Sequence, residues 1–131
     1  VERYLREAGV AYYNEMYLTE IERKWNMNLS AISAKGKSTK RWDFVVKTSN
    51  CVYVIETNFY TSGGSKLNET ARSYKMIAEE AKTVEGSEFV WITDGGGWTS
   101  ARRNLEETVD VMEHLYNIAD MEQKIFTSLF V

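Results

Sequence analysis

Two apolar runs of this chain carry acids at ends that face each other. Residues 51–59 are strand-like, and their first charged or amide side chains are Glu56 and, two residues on, Asn58. Side chains alternate along a strand, so these two share a face. Residues 42–48 form the other run, with Asp43 near its start. Ser49 and Asn50 leave room only for a tight turn. A two-residue turn pairs Thr48 with Cys51 and keeps partner numbers summing to 99, so Asp43 opposes Glu56. Their Cβ atoms would lie roughly 5 Å apart, where like charges cost roughly 0.2–1 kcal/mol. A divalent cation held by Asp43, Glu56 and the Thr57 carbonyl would explain such a pair. The alternative is two strand-end acids, each held by a nearby Lys or Arg. A three-residue turn would put Asp43 opposite the wrong face. With one cysteine and one histidine in the chain, any metal is held mainly by oxygens, which favours magnesium or manganese.

The segment after Asn58 adds phosphate chemistry. Gly63 and Gly64 allow an anion close to the backbone, and Ser65 opens a helix whose N-terminus attracts anions. Lys66 sits in the first turn, where a cation opposes the helix dipole. Phosphate binding is one reason for it; plain solvation is the other. Lys35, Lys37, Lys40, Arg41 and Lys47 make a basic strip interrupted only by Asp43. Such a strip can bind phosphate although the net charge is -3, or it can be a solvated loop.

Asp43-Phe44-Val45-Val46-Lys47, Ile55-Glu56-Thr57-Asn58-Phe59-Tyr60, Gly64-Ser65-Lys66-Leu67-Asn68-Glu69-Thr70 and Trp91-Ile92-Thr93-Asp94-Gly95-Gly96-Gly97-Trp98 together resemble the type II restriction endonucleases of the DpnII/MboI group. The resemblance covers about residues 40–125. It implies a PD-(D/E)xK nuclease-like α/β fold, a mixed central sheet flanked by helices with an αβββαβα core. It implies magnesium-dependent hydrolysis of double-stranded DNA at GATC sites, with manganese as a substitute. Asp43 and Glu56 would be the two acids of the motif. Asn58 would stand where most such nucleases carry Lys, and Lys66 would supply the missing charge. Gly64, Ser65, Lys66 and the basic strip would meet phosphate. A helix acid often completes the metal shell in this fold; Glu20 is the choice here. A palindromic site implies a homodimer, and the family implies a cognate DNA methyltransferase and a cytoplasmic setting. The alternative is an inactive DNA-binding or assembly module of the same fold, which the missing lysine and acidic total favour.

These residues need elements to hold them. Leu5, Ala8, Tyr12, Met16 and Thr19 follow helical spacing, which predicts helix over 2–25, hinged at Gly9. A short strand is expected at 29–35 and strands at 42–48, 51–59 and 88–93. Leu67, Ala71, Tyr74, Ala78 and Ala81 share one side of a helix from 65 to about 84. A further helix spans 104–117, and Asp120 caps a last one. Helix 65–84 crosses over to make strands 51–59 and 88–93 parallel. Trp91 and Cys51 are expected to be core or inert strand residues. Hydrophobic residues at 44% and charged at 27% fit a single domain of 131 residues and exclude a disordered tail or a pure coiled coil. No apolar run reaches the roughly 18 residues of a membrane helix. The chain starts with Val in a helical segment, which reads as a fragment or C-terminal part of a longer enzyme.

Overall fold

The computed structural model describes residues 1–27, 29, 32, 41–59, 65–95 (of 65–68 the backbone alone), 112 and 114–130. Among them, five strands form one mixed sheet in the order β1-β2-β3-β4-β5. These are β1 Tyr12–Tyr17, β2 Arg41–Lys47, β3 Val52–Phe59, β4 Ser87–Asp94 and β5 Leu115–Tyr116. β1–β2 and β2–β3 are antiparallel, while β3–β4 and β4–β5 are parallel. The helices are α1 Glu2–Glu7, α2 Leu18–Trp25, α3 Ser65–Ala81, α4 Ile118–Glu122 and α5 Ile125–Leu129.

The β2–β3 hairpin has the expected register. Phe44 pairs with Ile55, Val45 with Val54, Val46 with Tyr53 and Lys47 with Val52, each pair summing to 99. The Thr48 amide donates to the Cys51 carbonyl at 2.9 Å, which closes a two-residue turn. On one face, Val45, Val52, Val54, Phe89 and Trp91 pack with Ala71, Tyr74, Ile77 and Ala78 of α3. On the other, Val46, Ile55, Val90 and Ile92 pack with Leu5, Met121, Phe126 and Phe130 from α1, α4 and α5. With both faces covered, the middle of β4 is a continuous apolar run. Each buried side chain of the size of Ile55 contributes roughly 1.5–3 kcal/mol.

Several expectations need correction. Residues 2–25 are not one hinged helix. Gly9, at φ 71, follows α1, and β1 comes after it as an edge strand on β2. Tyr12, Tyr13 and Tyr17 suit a pleated surface, and pairing with β2 overrides the helical spacing. At 29–35, the Ile32 amide donates to the Leu29 carbonyl at 2.9 Å, a turn rather than a strand; the rest lies outside the described residues. Helix 104–117 lies mostly outside them too, but its end is β5, paired with Trp91 and Ile92. Asn117, not Asp120, is the N-cap of α4, and Asp120 Oδ2 accepts from the Asn117 amide at 2.9 Å.

Candidate active site

The β2–β3 ladder ends at Phe44–Ile55, and one step beyond it the register sets Asp43 opposite Glu56. Here the strands part. The Thr57 amide donates to Asp43 Oδ2 at 2.9 Å, and the Thr57 hydroxyl donates to the same oxygen at 3.2 Å. A side-chain carboxylate thus takes an amide that a continuing ladder would give to a carbonyl. β1 is distorted at the same level, with its register on β2 unchanged on either side. Glu15 has φ 51, a left-handed conformation rare outside glycine, and it falls between the pairs Asn14–Phe44 and Met16–Trp42. Tyr13 and Met16 consequently reach the same core, as do Val45 and Trp42, although unbroken strands would send them to opposite faces. Strain of this kind costs about 1–3 kcal/mol and clusters at functional sites.

Glu56 is buried, at 5% exposure. Its Oε2 accepts the Tyr74 hydroxyl of α3 at 3.2 Å. Burial, and after it the Glu56 carboxylate, raises the pKa of Tyr74, which therefore stays a neutral donor. Asn58 Oδ1 accepts the indole N–H of Trp91 at 2.8 Å. The Tyr74 ring stands edge-on to Trp91, with centroids 5.0 Å apart, which fixes the helix against the strand at this point. The donors on Asp43 come from Thr57, and the Tyr74 hydroxyl serves Glu56; a neutral donor orders a carboxylate without discharging it. Two ordered carboxylates form an oxygen-only donor pair, which suits a hard divalent cation.

A family model described as DpnII restriction endonuclease matches residues 1–128. The chain belongs to that family. It is 50% identical to the type II restriction enzyme DpnII of Streptococcus pneumoniae over 98% of this chain and 46% of that protein. It is 46% identical to MboI of Moraxella bovis over 71% of this chain and 33% of that protein. Identity to MjaIII of Methanocaldococcus jannaschii is 40% over 68% of this chain and 30% of that protein. The chain thus spans less than half the length of these relatives. No solved structure matches it.

Within the DpnII family frame, Asp43, Glu56, Thr57 and Asn58 come together at one end of the sheet. Glu20 is held elsewhere. Its Oε1 accepts the Tyr17 amide at 3.1 Å and caps α2, the helix it belongs to. No group of three or more His, Cys, Asp or Glu able to hold a metal occurs among the described residues, so none of their acids joins Asp43 and Glu56 in such a group. Arg41 is exposed and lies 3.7 Å from Glu15, a surface pair of little energetic weight. Lys35, Lys37, Lys40 and Gly64 lie outside the described residues, as do the side chains of Ser65 and Lys66.

Sequence reasoning missed Tyr74 and left Trp91 as plain core. A signal existed for Tyr74. It is the one residue with a polar tip among Ala71, Ala78 and Ala81 on the buried side of α3, and a buried hydroxyl needs a partner. Glu15 offered no signal, because its conformation follows from pairing across strands.

Proposed function

We propose that this chain is the metal-binding part of a type II restriction endonuclease that hydrolyses double-stranded DNA at GATC sites. The single observation that carries this reading is the parting of β2 and β3, which leaves Asp43 and Glu56 opposed and separately ordered by Thr57 and Tyr74. Asp43, Glu56 and the Thr57 carbonyl would hold magnesium, or manganese in its place. When bound, such an ion supplies positive charge to the scissile phosphate and acidifies water. Thr57 fixes Asp43 through two bonds to one oxygen. Burial keeps bulk water from Glu56. Lys66, with Ser65 and Gly64, would meet phosphate, and Lys35, Lys37, Lys40 and Arg41 would follow the DNA backbone. In the net reaction water adds to phosphorus, one P–O ester bond breaks, and a phosphate monoester and an alcohol result. A palindromic target suits a homodimer. A methyltransferase of the same specificity would protect the host DNA in the cytoplasm.

The test is incubation of the chain with unmethylated plasmid and magnesium or manganese. Fragments spaced as GATC sites, abolished by EDTA, are expected. DNA binding without any cleavage would favour an inactive module of the same fold.

A further inference from the structure

The contacts of Asn58 fix which way its amide points. An indole N–H only donates, so the atom facing Trp91 is Asn58 Oδ1. The Tyr74 ring stands edge-on to the same indole, with centroids 5.0 Å apart. The Tyr74 hydroxyl in turn donates to Glu56 Oε2 at 3.2 Å. Contact therefore runs without a gap from Asn58 through the Trp91 indole and the Tyr74 ring to the Glu56 side chain.

We infer that Asn58 and Tyr74 are positioning residues that hold the Glu56 carboxylate in one orientation, and that Asn58 does not replace the motif lysine at the phosphate. This rests on the nuclease reading for the meaning of Glu56. A lysine at position 58 would offer no acceptor to the buried Trp91 indole. Asn58 near the end of β3 therefore implies a different source for the positive charge at the phosphate.

The experiment compares the parent chain with Tyr74→Phe, Asn58→Leu, the double variant and Asn58→Lys. Three readouts are taken: the manganese dissociation constant by calorimetry, plasmid cleavage, and the side-chain carboxyl carbon resonance of Glu56 in metal-free protein. Each single variant should weaken manganese binding by about 10–100-fold, as for losing a partner that orients a ligand. The double variant should be no weaker than the worse single one, because Asn58 acts through Tyr74. The Glu56 carboxyl signal should move in Asn58→Leu in the direction it moves in Tyr74→Phe. Asn58→Lys should lose activity. Additive losses, an unmoved Glu56 signal in Asn58→Leu, or an active Asn58→Lys would overturn the inference. So would slower cleavage by Asn58→Leu with manganese affinity intact, since that marks direct contact with reacting groups. A parent that neither binds manganese nor cuts DNA overturns the nuclease reading alone, and the Glu56 signal then decides whether Asn58 acts on Glu56 through Trp91 and Tyr74.

Discussion

The two ends of the sheet treat their carboxylates differently. At one end, Glu88 of β4 is paired with His114 Nε2, and His114 Nδ1 meets the Tyr116 hydroxyl at 3.0 Å. Tyr53 stands edge-on to the same imidazole, centroids 6.2 Å apart. Nearby, the hairpin closes tightly, with the Cys51 amide donating to Thr48 Oγ1 at 3.1 Å. There, Glu88 has a partner that can carry the opposite charge. At the other end, Asp43 receives an amide and a hydroxyl from Thr57, and Glu56 receives a phenol, while β1 is distorted at Glu15. Those donors fix geometry and bring no opposite charge of their own. A matched pair serves the fold, whereas ordered, opposed carboxylates at a strained edge are suited to receiving something.

Removing Glu56 should have the greatest effect. Glu56→Ala should abolish cleavage while DNA is still bound, because phosphate contacts supply most DNA affinity. Cleavage assays and gel shifts on the same preparation check this, and cleavage within a few-fold of the parent would undo the assignment.

At the closed end the expected effect is chemical inertness. Burial first, and Glu88 after it, push the Cys51 thiol up to about 11 from 9.0. Only the thiolate reacts, so alkylation at pH 8 should run about 100-fold slower than for a free thiol. The rate should climb about tenfold per pH unit until pH nears 11 and become fast in urea. The linkage sign follows: the folded thiol holds its proton more tightly than the unfolded one. Stability contributed by this group is full below about pH 9 and falls as pH rises through about 11. Iodoacetamide kinetics across that range test it; a rate that matches the free thiol and levels off near pH 9 rather than 11 would show an open thiol.

His114→Ala asks whether the closed end is structural. It removes the partner of Glu88 and should cost about 1–3 kcal/mol, roughly 4 °C of melting midpoint for each kcal/mol in a domain of this size. Cleavage below the transition should stay within twofold of the parent. A loss of cleavage with an unchanged midpoint would join the two ends functionally.

How much of this was legible depends on the range of the interactions. The hairpin register was readable because Ser49-Asn50 is short and a period of two permits no partial slip, so one local turn fixed Asp43 against Glu56. α3 was readable from its Ala and Tyr spacing. β1 was not: Leu5, Ala8, Tyr12 and Met16 fit a helix, and only the edge of β2, far along the chain, makes Tyr12–Tyr17 a strand. Glu20 fits the helix acid that the family resemblance implies for a metal shell, but carboxylates near a helix start also cap it, and that local bond accounts for it here. The contacts that run from Asn58 through Trp91 and Tyr74 to Glu56 join β3, β4 and α3, and they exist only when all three meet.

The smallest expected effect is also the most direct test of the opposed carboxylates. Asp43→Asn keeps the shape and removes one charge. Relief of repulsion should stabilise the metal-free fold by roughly 0.2–1 kcal/mol. The Asn oxygen still accepts from Thr57, but bonds to a neutral acceptor are about half as strong as those to a carboxylate, which takes back part of that gain. In EDTA the midpoint should therefore lie at or slightly above that of the parent, by no more than roughly 4 °C. Manganese at ten times its dissociation constant should stabilise the parent by about 1.4 kcal/mol through mass action on the folded state. The variant should lose most of that increment. A general weakening of the fold would lower the midpoint in both buffers, and a general tightening would raise it in both. Only a shared site gives a neutral or favourable change in EDTA together with a lost response to manganese. If the variant melts well below the parent in EDTA and manganese shifts both equally, Asp43 holds Thr57 as a structural strut and nothing more.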